Sequence, residues 1–259
     1  MALRKLLHLL YVGTALARMH ASSYLAATIN AVLWFTLIFV PSILLTGNPE
    51  QAFLTFLPGV FALTIASTGM WSATEFLRWY VYQGLTDLFR ECGLNVFHYL
   101  LCGIHTDVAL QGFATYLLAA FVACYYANLD PLLVIPANPV LMVLAIAVAI
   151  PTYLLCGALM AYLYTATRIG GVWTNIIQMI VIVGTIVPPK ALPIPWIALL
   201  NPATIVAELL RASYGTNTFS VEHLLALTPI LATLYVVLAY VIAQASDRRI
   251  ARYGIEFRI

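Results

Sequence analysis

His98, His105 and Asp107, with Cys92 and Cys102 close by, bring together the imidazole, carboxylate and thiol groups that bind metals and move protons. No ligand spacing links them, and the four cysteines (Cys92, Cys102, Cys124, Cys156) form no CxxC pair. Neither a metal site nor a disulfide framework is expected. An enzyme embedded in a membrane would have only the two histidines and Asp107 from which to build an acid, base or metal cluster, and their placement reads as solvated or interfacial. A second group is denser in charge: Glu75, Arg78, Asp87, Arg90 and Glu91 all fall within residues 75–105. They read either as an interfacial helical loop that merely lies on the membrane or as a docking surface for a cytoplasmic partner.

The elements that must position these groups are apolar. The chain has 63% hydrophobic and 8% charged residues in 259, far from the balance of a soluble domain. Its charges avoid long stretches near 22–49, 51–74, 108–129, 131–167, 169–189 and 224–246. A helix needs about 20 mostly apolar residues to cross a hydrocarbon core of roughly 30 Å. The reading is an all-α polytopic membrane protein with six transmembrane helices, near 24–45, 52–74, 107–127, 140–165, 172–187 and 221–243. No room remains for a separate soluble domain, so residues 1–259 form one transmembrane domain. Placing both termini in the cytoplasm puts ten of the twelve basic residues inside, with only Lys190 and Arg211 outside. The excess of Lys and Arg in cytoplasmic loops orients a multi-pass protein in this way.

Residues 1–21 admit two readings. Arg4, Lys5, an apolar run and small residues near Ala15 imitate a cleavable signal peptide. Arg4, His8, Tyr11 and Arg18, however, recur along one helical face, which favours an interfacial helix on the inner leaflet. Residues 75–105 exceed what two antiparallel helices need as a connector. Gly84, Gly93 and Gly103 divide them into short amphipathic pieces. Residues 188–220 hold an apolar stretch too short to cross, a turn at Asn201-Pro202 and a helical-looking segment. That pattern predicts an outside re-entrant helical hairpin.

Several chemistries are excluded by what is missing. There is no GxxxxGKS/T phosphate loop, since Lys5 follows Arg4 and Lys190 follows Pro189, so this chain carries no such ATPase site. GxSxG and HExxH are absent too. No charged residue falls deep inside an expected span, which argues against a proton-driven carrier. Thr64, Ser67 and Thr68, and likewise Thr174, Asn175 and Gln178, recur at helical spacing. They read either as hydrogen-bonding glue between helices or as a mildly polar translocation wall.

Gln83-Gly84-Leu85-Thr86-Asp87-Leu88 in the long loop, together with Asn201-Pro202 followed by Glu208 and Arg211, resembles the membrane subunit of ABC-2 type transporters. The resemblance covers nearly the whole layout, although each motif is short. Where relatives often carry a proline after the acidic loop position, this chain reads Cys92-Gly93-Leu94. The resemblance implies a permease subunit of an ATP-driven exporter in the plasma membrane, not itself an enzyme. It would pair with a second copy or a related permease and with separate ABC ATPase subunits that hold ATP and Mg. Gly84, Asp87, Arg90 and Glu91 would then couple to the ATPase, and an amphiphilic or lipid-like substrate, drug or glycan would cross. Beyond membrane lipid no other partner is implied, and no nucleic acid. The alternative is a secondary carrier or channel working without ATP.

Overall fold

The computed structural model describes residues 2–75, 77, 91–167 and 170–253. Every element among them is helical. In chain order they are α1 (Ala2–Met19), α2 (Ala21–Leu44), α3 (Pro49–Glu75) and α4 (Val96–Ile104). A wide π-type segment, His105–Gly112, carries α4 straight into α5 (Phe113–Ala127). Then follow α6 (Pro139–Ala166), α7 (Gly170–Ile186), α8 (Thr204–Ser213) and α9 (Val221–Tyr253).

Short polar side chains set the boundaries. Asn95 starts α4 by accepting the His98 amide on its Oδ1 at 3.0 Å. Asn138 does the same for α6, accepting from Val140 and Leu141, with Pro139 at the first helical position. Both use the carbonyl oxygen of a side chain to satisfy amides that no helical turn can reach. Asn128 ends α5 in the left-handed conformation, at φ 56°, which asparagine tolerates better than most residues.

Among the described residues, five helices are long and apolar enough to cross a membrane: Ala21–Leu44, Pro49–Glu75, Val96–Ala127, Pro139–Ala166 and Val221–Arg252. The remaining expected span corresponds to α7, whose 17 residues reach roughly 25 Å at about 1.5 Å per residue. The third long helix differs most from expectation. It begins at Val96, eleven residues before the expected start at Asp107. Residues 96–105 therefore belong to a long helix and not to the connecting loop.

α3 and α6 form the centre. In α3, 83% of the most apolar stretch is buried, against 22% in α2 and 17% in α9. Small residues let the two central helices meet: a Cβ on Gly69 would lie 2.4 Å from the Tyr153 carbonyl oxygen, and one on Gly157 would lie 2.8 Å from the Gly69 oxygen. Close backbone approach of this kind is how apolar helices gain packing energy when lipid offers no hydrophobic contrast. α9 packs on α6, α2 on α5, and α1 on α4. The outer faces of α2 and α9 expose Leu33, Trp34, Leu37, Val237 and Val241, as a lipid-facing surface would.

Candidate functional site

The residues expected to couple to an ATPase are only partly visible. Gly84, Asp87 and Arg90 lie outside the described residues, and Glu91 is exposed just before the turn at Cys92 and Gly93. The candidate wall residues are spread over different environments. Thr64 and Thr68 are buried and donate to the carbonyls of Val60 and Thr64, each at 2.8 Å, one turn back in their own helix. Ser67 is half-buried and receives the Gln178 amide at 3.5 Å, a long contact that joins α7 to α3. Thr174 is buried and Asn175 is exposed.

The expected hairpin residues converge. All ten residues of α8 are buried, and the chain breaks at the end of α7 explain why. Pro188 and Pro189 have no N–H, so the carbonyls of Gly184 and Thr185 lose the donors that a continuing helix would supply. The Thr204 hydroxyl donates to the Gly184 oxygen at 2.8 Å. Arg211 Nη2 donates to the Thr185 oxygen, and also to the Ile186 oxygen at 3.3 Å. A cation at the C-terminal end of a helix is further favoured by the helix dipole. The same guanidinium donates through Nε to the Thr55 oxygen of α3 at 3.1 Å and through Nη1 to Glu208 Oε1 at 2.9 Å. Glu208 Oε2 in turn accepts the Thr218 amide at 2.7 Å.

Pro58 inside α3 leaves the Leu54 carbonyl without its helical donor in the same way, and the Thr216 hydroxyl reaches it at 3.2 Å. Asn201 donates to the Ile180 oxygen at 2.9 Å, and the Pro202 oxygen accepts from Thr152 of α6 at 3.1 Å. Arg211 and Glu208 are fully buried. Burial pulls the guanidinium down from its ordinary value while the Glu208 carboxylate opposes that shift. The assembly is a latch. It fastens the broken end of α7 to α3 and α8, and its charges cancel within it.

A second buried acid escaped the sequence reading. Asp107 is 2% exposed, on the first turn of the π-type segment, buried where a solvated or interfacial residue at the start of the third span is expected. Its Oδ1 accepts from Tyr24 of α2 at 2.8 Å. Its Oδ2 accepts from Ser72 of α3 and from Tyr153 of α6, both at 2.6 Å. Thr106 also approaches Oδ1, at 3.3 Å, but its single proton is better used on the Gly103 oxygen at 2.9 Å. Gly103 itself makes room, since a Cβ there would lie 2.9 Å from both Asp107 Oδ2 and the Tyr153 hydroxyl.

The two histidines are both half-buried. His98 lies beside its capping Asn95, with Nδ1 2.7 Å from Oδ1. His105 reaches back to α1, Nε2 lying 2.7 Å from the Thr14 hydroxyl. Thr14 donates to the Leu10 carbonyl at 3.0 Å, which leaves its oxygen free to accept from His105 Nε2. The other ring nitrogen, Nδ1, is buried and has no partner among the described residues. No group of three or more metal-binding side chains occurs among the described residues.

Sequence spacing had no means of finding the Asp107 shell. Its donors sit 83, 35 and 46 positions from Asp107, on three other helices. The available signal is that residues 96–104 are as apolar as a span and run into 108–127 with no proline between them. No family model, curated protein or solved structure matches this chain.

Proposed function

We propose that this chain is the membrane-spanning permease subunit of an ATP-driven exporter of the ABC-2 type. It works as a dimer with a second copy or a related permease, and with separate ATPase subunits at the cytoplasmic face. In this reading α7 completes a six-span domain in the plasma membrane, both termini are cytoplasmic, and residues 188–220 lie outside. The observation that carries the reading is the buried α8, entered through Asn201-Pro202 and held by Glu208 and Arg211. An exporter that opens between two subunits needs each subunit's outer end to move as one piece, and the latch on α7, α3 and α8 supplies that stiffness. The connection 76–95, with Glu91 at its exposed end, is the coupling element. ATP and Mg belong to the partner chain, and the cargo is amphiphilic, lipid-like, a drug or a glycan.

The test is affinity purification of the tagged chain from its own membranes in mild detergent. A separate subunit bearing a phosphate loop should co-purify, and ATP hydrolysis should follow that subunit. ATP turnover by the chain alone, or a pure chain with no ATPase attached, overturns the reading.

One observation favours the alternative of an ion-coupled secondary carrier: Asp107 is a buried carboxylate among apolar helices, the kind of group such carriers use. Transport that persists in ATP-free vesicles under an imposed proton gradient is the result that alternative requires.

A further inference from the structure

Asp107 has an uncommon set of neighbours for a buried carboxylate. Buried acids are ordinarily held by a cation or by backbone amides, groups that can only donate and so fix the charge. No ion pair reaches Asp107 among the described residues, where the one salt bridge is Glu208–Arg211. Its three good partners, Tyr24, Ser72 and Tyr153, are all hydroxyls. A hydroxyl donates and accepts with equal ease. When Asp107 is ionised, three O–H groups point at it. When it is protonated, it donates one bond itself, and one hydroxyl turns to accept. Both states leave the carboxyl group itself with hydrogen-bond partners, which a shell of cations or amides cannot do for the protonated form.

A route for the proton is short. Tyr24 stands one turn along α2 from His20, and Ser72 stands one turn before Glu75, the last residue of α3. His20 and Glu75 are both exposed, and Glu75 lies within electrostatic reach of both Asp107 and His20. Two helices thus lead from a titratable group exposed on the surface of the bundle to a hydroxyl that touches the buried acid. Among the described residues, two more elements bring titratable groups to the site. From α6 comes Tyr153, backed by Tyr99 of α4. On the π-type segment itself is His105, tied to Thr14 of α1 through Nε2.

We propose that Asp107 is a reversible proton-binding site within the helix bundle, filled from the end where His20 and Glu75 are exposed. Proton uptake converts three charge-assisted bonds to neutral ones, which are roughly half as strong. The tie between α2, α3, α6 and the π-type segment therefore slackens when the proton is bound. This site goes beyond the permease reading and does not depend on it, because a proton site can be measured in the chain without any ATPase.

The experiment is infrared difference spectroscopy of the purified chain in lipid membranes, titrated between about pH 4 and 9, a range that brackets ordinary and burial-shifted carboxylates. A carboxylic-acid C=O band should grow on acidification with one midpoint. It should vanish in Asp107→Asn and move in frequency, without vanishing, in Asp107→Glu. Two further variants should shift the midpoint in opposite directions. Tyr153→Phe removes a donor that favours the anion and should raise it by about one pH unit; Glu75→Gln removes a neighbouring negative charge and should lower it by a few tenths. Opposite signs place the titrating carboxyl between the Tyr153 donor and the Glu75 charge, which is where Asp107 lies. The proposal is overturned if no Asp107-dependent band appears in that range, or if both variants shift the midpoint the same way. It is equally overturned if exchanging potassium for sodium at fixed pH removes the band, which would make the occupant sodium.

Discussion

Glu208 and Asp107 are both carboxylates withdrawn from water, and the fold treats them in opposite ways. Glu208 faces groups that can only donate: the Arg211 guanidinium and the amides of Thr218 and Phe219. Its charge is fixed, and with it the joint between α7, α8 and α3. Asp107 faces hydroxyls, which can reverse their bonds, so its charge is left open. The lesson is that burial alone does not say whether an acid is structural or responsive. The donor type around it does.

The largest effect expected from breaking this contrast is at the latch. Arg211→Met leaves Glu208 buried without its cation and the Thr185 and Ile186 carbonyls without donors. Removing one partner of a buried ion pair costs about 3–5 kcal/mol, read as a lower unfolding temperature in detergent. Adding Glu208→Leu should recover part of that loss, since the unpaired charge goes. It should not recover all, because the carbonyls at the end of α7 remain orphaned. Full recovery by the double variant would mean that Arg211 contributes no helix-end bonds.

Gly69→Ala should come next. Its methyl would sit 2.4 Å from the Tyr153 carbonyl oxygen, backbone that cannot swing aside, so α3 and α6 must separate. Overpacking of this sort costs about 1–3 kcal/mol. Because Ser72 and Tyr153 lie on those two helices, the separation should also weaken the Asp107 shell and make the loss larger than at Gly47, where a Cβ meets nothing. Equal thermal shifts for Gly69→Ala and Gly47→Ala would show that the central contact is loose.

The same chemical change then separates the two acids directly. Asp107→Asn presents an amide to three hydroxyls, one of which can turn and accept from it, so the cost should be about 1 kcal/mol. Glu208→Gln presents that amide to an arginine and to backbone N–H groups, none of which can accept. It should cost at least about 2 kcal/mol, the penalty of donor facing donor in a buried site. Equal losses in thermal stability would erase the distinction between fixed and open shells.

Much of this architecture was legible in one dimension. The uncharged runs mark α2, α3, α6 and α9, and Asn201-Pro202, Glu208 and Arg211 mark a short helix that turns out to be buried throughout. What the sequence hid follows from how charge was used to read it. Charged residues mark the edges of spans in a one-dimensional reading, so Asp107 reads as the first residue of the third span, and the continuous Val96–Ala127 helix is cut in two. The compensating hydroxyls were scattered over α2, α3 and α6, where Tyr24, Ser72 and Tyr153 look like ordinary helix residues. A buried charge satisfied from distant helices leaves no local pattern.

The smallest effect belongs to the candidate wall. Thr64 and Thr68 are buried, and each hydroxyl is spent on a carbonyl of its own helix, so neither bond ties α3 to a neighbour. Thr→Val at both positions keeps shape and removes only these back-bonds, and bonds inside apolar helices contribute modestly. Stability should change by less than about 0.5 kcal/mol, the scale of substitutions with no named structural role. Transport should also hold, because a polar wall would need its hydroxyls turned outward, and the groups on this side not fully buried are Ser67, Gln178 and Asn175. Substituting those three is then the comparison that matters. A transport loss of about fivefold or more in Thr64→Val/Thr68→Val, with stability unchanged, would put the path through the buried face of α3. Neutrality there, with loss in Ser67→Ala/Gln178→Leu, would move it to the contact between α3 and α7.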